Sequence, residues 1–278
     1  MDWRNARVVF QDIDGCLNPP NAPLPDGPGR SPDAEQARLL DQIGRAIDTS
    51  VVSHVVLNTG RGLSAMDFVV DALASRKVRY LLAEHGAVAF DVTEKRAIDM
   101  QRLAKRCGPP ECAARYMQLG PIRDAISWYQ SAGESQLSAL FGHPLPALPK
   151  SANLTLTVPA GVRSQDLIDA LERALEANAA IDSGDFVYHS SDHYVDVISE
   201  VSKGDGALLL LEELDAAPEQ ALAMGDGRND ISMFEVLGSG FCPSNAAPEL
   251  KRVCQSRAGV VSSRSCGDAA LEFYRSLS

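Results

Sequence analysis

Four short stretches hold most of the residues that can do chemistry together. Asp12-Ile13-Asp14-Gly15 places two carboxylates two residues apart, just before a glycine. One carboxylate can act as a nucleophile while the other gives a proton to a leaving group and later activates water. Gly15 lets the chain bend, so that both acids can face one cavity. The plain alternative is a turn with two solvated acids. Thr59-Gly60-Arg61 offers a hydroxyl and N–H groups at the start of a predicted helix, which together make an anion site. Thr is also a common helix cap. Lys203 begins another predicted helix, where the positive end of the dipole disfavours a cation. A bound phosphate explains that position; a solvated lysine is the plain reading. Gly225-Asp226-Gly227-Arg228-Asn229-Asp230 sets two carboxylates four residues apart beside glycines, which suits a hard cation such as Mg2+. An ordinary loop with an aspartate cap is the alternative there.

The elements around these stretches place all four at one edge. Residues 7–11 read as a buried strand ending at Asp12, and residues 52–57 as a second strand ending at Asn58-Thr59-Gly60. Between them runs a helix over 32–49, with Leu39, Leu40, Ile43 and Ile47 at helical spacing; another follows over 62–75. Strand, helix, strand, helix with short links implies parallel strands and right-handed crossovers. The same pattern returns after Val201: helix 203–215, strand 221–225, helix 229–237, strand 239–242, helix 246–255 and a final helix over 267–277. Every acidic or phosphate-type residue named above then falls at a strand end or a helix start, the edge where open α/β sheets bind ligands. Independent accidents would have to place all four there in order.

The middle of the chain differs. Residues 79–99 alternate in short strand-like runs, helices are expected near 110–118 and 120–131, and 153–158 alternates as a strand. A helix over 165–178 and a hairpin of 186–189 with 194–199 complete an α+β pattern. The expected organisation is an α/β, doubly wound, Rossmann-like core from residues 1–83 and 200–278, interrupted by an α+β cap over 84–199, with hinges near 84–86 and 199–202. Six of the 16 prolines fall in residues 19–32, so that loop is neither helix nor central strand. Its place after the acidic pair suits a flap; a passive surface loop is the alternative.

Composition narrows the classes of partner. The net charge of −11 and the pI of about 4.9 disfavour nucleic acid and anionic membranes. A phosphate ester then needs local positive groups: a metal ion, Lys203, Arg61, Arg228 or backbone N–H groups. The six cysteines show no zinc-site spacing, and a reduced, cytoplasmic setting is the simplest expectation. Residues 1–5 lack the apolar core of a signal peptide, and no apolar stretch approaches a membrane span.

Taken together, the four stretches resemble the four motifs of the haloacid dehalogenase superfamily. Thr59-Gly60-Arg61, Gly225-Asp226 with Asn229-Asp230, and Ser244-Asn245-Ala246 are similar to its Cof-type sugar phosphatase branch. The resemblance implies a phosphatase with Asp12 as nucleophile and Asp14 as acid and base. It implies Mg2+ held by Asp12, the Asp14 carbonyl and Asp226, supported by Asp230. Thr59 and Lys203 would hold phosphate oxygens, with Gly60 and Asn229 beside them. Two positions depart from the pattern: Cys16 stands where Thr is usual, and Glu84-His85-Gly86-Ala87 stands where Asn-Gly is usual, closer to trehalose-phosphate phosphatases. A thiol at Cys16 is open to oxidation. Arg61, His85, His189 and His193 are the candidates for substrate choice, with Arg115 and Arg123 behind them. The expected substrate is a small phosphorylated metabolite, a sugar or polyol phosphate, and a homodimer is the expected assembly. A phosphomutase and a phospho-accepting regulatory module share much of this residue set.

Overall fold

The computed structural model describes residues 3–18, 33–184, 186–190 and 193–278. The expected flap over 19–32 and the hairpin tip at 191–192 lie outside the described residues. In chain order the strands are β1 (Val8–Gln11), β2 (His54–Asn58), β3 (Val78–Ala83), β4 (Val88–Asp91), β5 (Arg96–Ile98), β6 (Asn153–Thr157), β7 (Val187–Ser190), β8 (Tyr194–Ile198), β9 (Ala221–Met224), β10 (Ser239–Cys242) and β11 (Val260–Val261). The helices are α1 (Ala34–Thr49), α2 (Asp67–Leu73), α3 (Met100–Cys107), α4 (Pro110–Met117), α5 (Leu119–Trp128), α6 (Glu134–Phe141), α7 (Ser164–Glu176), α8 (Lys203–Glu213), α9 (Ile231–Val236), α10 (Pro248–Ser256) and α11 (Cys266–Ser276).

Contacts divide the chain into two units, one running to Gly108 and resuming at Ser202, the other spanning Pro109–Val201. The first unit is built on an eight-stranded sheet of order β11-β10-β9-β1-β2-β3-β4-β5. The six strands from β11 to β3 are parallel, with Val9 opposite both Val55 and Leu222. β1 and β9 are buried at every position, as strands covered on both faces must be. Helices α1, α2 and α11 cover one face through Leu40, Ile43, Val69, Leu73, Ala270 and Phe273. Helices α3, α8, α9 and α10 form a second group in contact with one another or with the β9–β10 side.

The sheet extends further than the sequence pattern suggests. β4 pairs antiparallel with β3, and β5 with β4, through Leu82 opposite Ala89 and Phe90 opposite Ala97. Helix α3 then packs on α8. Residues 84–108, expected in the inserted segment, are therefore tied to the first unit by the main-chain pairing of β4 and β5 and by the packing of α3. The second unit begins at Pro109, the cap of α4, with Pro110 at the first helical position.

The second unit has its own core. Its three-stranded antiparallel sheet has the order β6-β8-β7. Leu154, Leu156, Val195 and Val197 point to one face and pack against Ile122, Tyr129, Leu167 and Leu171. A π-helical turn, Tyr129–Gly133, joins α5 to α6, and the buried Tyr129 hydroxyl donates to the Leu145 carbonyl at 2.6 Å.

Candidate active site

The chain turns direction across the sheet between β1 and β9. From β1 it winds outward through β2 and β3; later it returns and winds the other way through β9, β10 and β11. Loops at such a switch point diverge and leave a crevice. Asp12 follows β1 and Asp226 lies two residues beyond β9, so both sit at that crevice. The Asp12 N–H donates to the Met224 carbonyl at 2.9 Å, which ties the two strand ends together.

Four charged side chains meet there. The Lys203 ammonium lies 2.9 Å from Asp12 Oδ1 and 2.6 Å from Asp230 Oδ1, with its side chain wholly buried. Carboxylate oxygens of Asp12, Asp226 and Asp230 all lie within 4.8 Å of one another. The other oxygen of Asp230 accepts the N–H groups of Asp226 and Gly227, each at 2.9 Å. Both Asp230 oxygens are thus committed, and its task is to hold Lys203 and shape the 225–230 loop. Asp12 and Asp226 could therefore offer oxygens to a metal ion more readily than Asp230. Gly15, with φ +69°, allows this closeness: a Cβ there would fall 1.9 Å from Asp226 Oδ2.

The electrostatics favour a cation. Burial, then the nearby Asp230, raise the Asp12 carboxyl well above the ordinary carboxylate range, and Lys203 only partly offsets them. Burial and Asp230 push Asp226 up to about 7. Burial alone would lower the Lys203 ammonium, but Asp12 and Asp230 outweigh it and raise its pKa, so it stays charged. Three carboxylates against one ammonium leave an uncompensated negative charge in a poorly solvated place. A hard divalent cation with oxygen ligands fits that deficit.

Asp14 and Arg61 form a second pair. Arg61 Nε donates to Asp14 Oδ2 at 2.8 Å and Nη2 to Asp14 Oδ1 at 2.5 Å, a two-pronged contact. The Arg61 side chain is 5% exposed and that of Asp14 is 42% exposed. Arg61, expected to meet substrate, here holds Asp14. Thr59 is buried beside them, and its hydroxyl accepts the Arg61 N–H at 3.3 Å. The His85 ring lies over Gly60, within 2.7 Å of where a Cβ would stand. Glu84 and His85 both adopt left-handed backbone, φ +53° and +60°, and their N–H groups donate to Arg61 and Thr59 carbonyls. That turn brings His85 to the Thr59–Gly60 segment.

The remaining expected residues are scattered. Arg228 is exposed and pairs with Glu249 at 2.9 Å, so it is committed away from the acidic group. Asn229 is half-buried and its side chain lies against Gly227. His189 and His193 are exposed positions of the second unit, on β7 and just before β8; Arg115 lies on α4 and Arg123 on α5. Cys16 is fully buried, and burial followed by Asp12 and Asp226 raise its thiol pKa, the opposite of a reactive thiolate.

Some supporting residues escaped the sequence reading. The buried Asn58 side chain donates to the Lys203 carbonyl at 3.1 Å, and Gln11 donates to the Asp12 carbonyl at 2.8 Å. Ser202 caps α8 in a reciprocal box with Asp205, which fixes Lys203 as the first helical residue. That last feature has a visible signal, Ser-x-x-Asp before an apolar run.

Residues 148–264 match the family model for haloacid dehalogenase-like hydrolases. Over that stretch the chain is similar to the haloacid dehalogenase-like hydrolases. It is 31% identical over 134 residues to a phosphoglycolate phosphatase of Methanopyrus kandleri, covering 44% of this chain and 53% of that one. It is 33% identical over 119 residues to the phosphoglycolate phosphatase of Haloarcula marismortui, covering 40% and 48%. The chain thus spans about half the length of these curated relatives. In fold, it resembles Thermoplasma acidophilum 0175, with a TM-score of 0.63 at 15% identity over 98% of both chains. It also resembles the sucrose-phosphatase of Synechocystis, solved with sucrose and phosphate, with a TM-score of 0.58 at 19% identity over 98% and 97% of the chains. The likeness to these two solved structures agrees with the α/β fold described above.

Proposed function

We propose that this chain is a Mg2+-dependent phosphatase that acts on a small phosphate monoester, a sugar or polyol phosphate, through attack by Asp12. The observation that carries the reading is the meeting of Asp12, Asp226 and Asp230 oxygens within 4.8 Å, with the Lys203 ammonium touching two of them. Asp12 and Asp226 would hold the metal, which when bound offsets negative charge on both enzyme and substrate. Lys203 and the Thr59–Gly60 segment hold phosphate oxygens.

An Asp12 oxygen forms a bond to phosphorus as the ester P–O bond breaks. Asp14 gives a proton to the departing alkoxide. Water then attacks phosphorus, Asp14 takes its proton, and phosphate leaves with Asp12 restored. Arg61 offers only donors, so a protonated Asp14 cannot keep both of its bonds to Arg61. Donation therefore requires Asp14 to turn away, and its exposure leaves room for that. The net charge of −11 supports a small anion drawn by local cations over nucleic acid or an anionic membrane. Six free thiols support a reducing, cytoplasmic setting, and no described helix is long and apolar enough to cross a membrane. The phosphoglycolate phosphatase relatives and the sucrose-phosphatase neighbour carry the names of enzymes for small phosphorylated metabolites.

The test is phosphate release from a panel of sugar, polyol and small-acid phosphates, with and without Mg2+, beside Asp12→Asn. Replacing the nucleophile should lower kcat on the order of 10^3-fold or more. Metal-independent turnover, or full activity in the variant, would overturn the mechanism. Transfer to a second sugar without free phosphate would point to a mutase. A persistent phospho-aspartate without turnover would point to a regulatory module.

A further inference from the structure

We propose that Asn245 is a positioning residue that sets the metal affinity of this site by fixing the Asp226 carboxylate. The inference rests on the metal site proposed above. Asn245 lies in the loop after β10, and its side chain touches three separate parts of the fold. Its amide nitrogen donates to the Gly15 carbonyl at 2.8 Å and to Asp226 Oδ2 at 3.2 Å. Its amide oxygen accepts the Cys266 N–H at 2.9 Å, at the start of α11. The donor and acceptor ends of the amide are therefore assigned by their partners.

The effect on Asp226 is to leave it little freedom. Its N–H donates to Asp230 at 2.9 Å, its carbonyl accepts the Ala247 N–H at 2.7 Å, and its Oδ2 is held by Asn245. On the other side its carboxylate lies against Gly15, where no side chain can fit. Asn245 bridges these walls: one nitrogen joins the loop carrying Asp12 and Asp14 to the loop carrying Asp226. The loop of Asn245 is itself anchored, since the Ser244 N–H donates to the Arg264 carbonyl at 2.7 Å and Lys251 reaches the Ser244 carbonyl at 2.6 Å. A ligand held by a fixed outer partner loses less freedom when the cation binds, and such partners typically carry 10- to 100-fold in affinity.

The experiment is titration of the full chain with Mg2+ by calorimetry, and with Mn2+ by electron paramagnetic resonance, for the native protein and Asn245→Ala. Thermal unfolding in chelator shows that each is folded. Expected is a dissociation constant raised about 10- to 100-fold in the variant. The metal concentration for half-maximal activity should rise in step, while kcat at saturating metal changes far less. Asn245→Ser cannot span to both acceptors and reads the same quantity if the alanine variant does not fold. Native binding with unchanged affinity in a folded variant overturns the role of Asn245 and leaves the phosphatase reading in place. Absence of metal binding by the native protein overturns both.

Discussion

At the scale of single residues, Lys203 has the most to lose. Its ammonium is buried between Asp12 and Asp230, and nothing else among the described residues pairs with both. Lys203→Met leaves two buried carboxylates without their countercharge. In metal-free buffer this should cost about 3–5 kcal/mol, read by urea denaturation. Bound Mg2+ should recover part of it. His54 makes a different kind of prediction. Burial first, then the cations Arg79 and Arg7, lower its pKa from the ordinary 6.5. Below 6.5 the unfolded chain takes up a proton that the folded chain refuses until a lower pH. Stability is therefore intact above 6.5 and falls as pH drops from 6.5 toward the folded value. Denaturation series on both sides of that pH should show the slope, and His54→Gln should flatten it. Much of the site was legible at this scale because Asp12, Thr59, Lys203, Asp226 and Asp230 each follow a strand or open a helix. Asn58 was not, because its amide acts on a carbonyl 145 residues away and looks like any strand residue in the sequence. Arg61 was visible, but its partner Asp14 was not, since charge alone does not say which acid a guanidinium will choose.

At the scale of elements, the antiparallel edge carries the clearest consequence. Asp91 ends β4 and is fully buried. It accepts the Thr93 and Glu94 N–H groups, each at 3.0 Å, and pairs with Arg79 at 3.2 Å. Burial opposes its charge, yet these donors prevail and its pKa is lowered. Asp91→Ala leaves three donors unmet, two of them in the β4–β5 turn. Thermal or urea unfolding should show a loss of about 1–3 kcal/mol, while kcat changes little because the turn is remote from Asp12. This edge explains why residues 84–99 were misplaced by pattern alone. Short alternating strands read the same whether they pair with β3 or with one another, and pairing partners are not written locally. The long amphipathic α1 and α7 were legible from periodicity. By contrast α3, α6 and the two-residue β11 were not expected. A close approach of two glycines further fixes the geometry: a Cβ on Gly206 of α8 would stand 2.8 Å from the Gly86 Cα. Helix α8, which Lys203 opens, can therefore pack closely against the turn that carries His85.

At the scale of the whole molecule, charge and metal are linked. The chain carries −11 overall, and its candidate site adds to that surplus. A cation that binds only the folded form should stabilise it in proportion to the logarithm of its concentration. Unfolding temperature should rise steadily with Mg2+, by the equivalent of about 2.7 kcal/mol at 100 times the dissociation constant. Asp226→Asn should abolish that dependence in the same scan. Monovalent salt at equal ionic strength controls for screening.

The order of strands in the large sheet also bears on how the protein is made. β1 sits between β2 and β9, yet β9 comes after the whole Pro109–Val201 unit. On the ribosome, β1 to β5 emerge first and can pair among themselves, leaving the free side of β1 open. At roughly 5–20 residues per second, β9 follows about 6–25 seconds later. Over that interval an apolar strand edge waits for its partner, a natural place for a chaperone to bind or for misassembly to start. Until β9 docks, Asp12 lacks Asp226 beside it, so the carboxylate cluster comes into being only as the sheet is closed on that side.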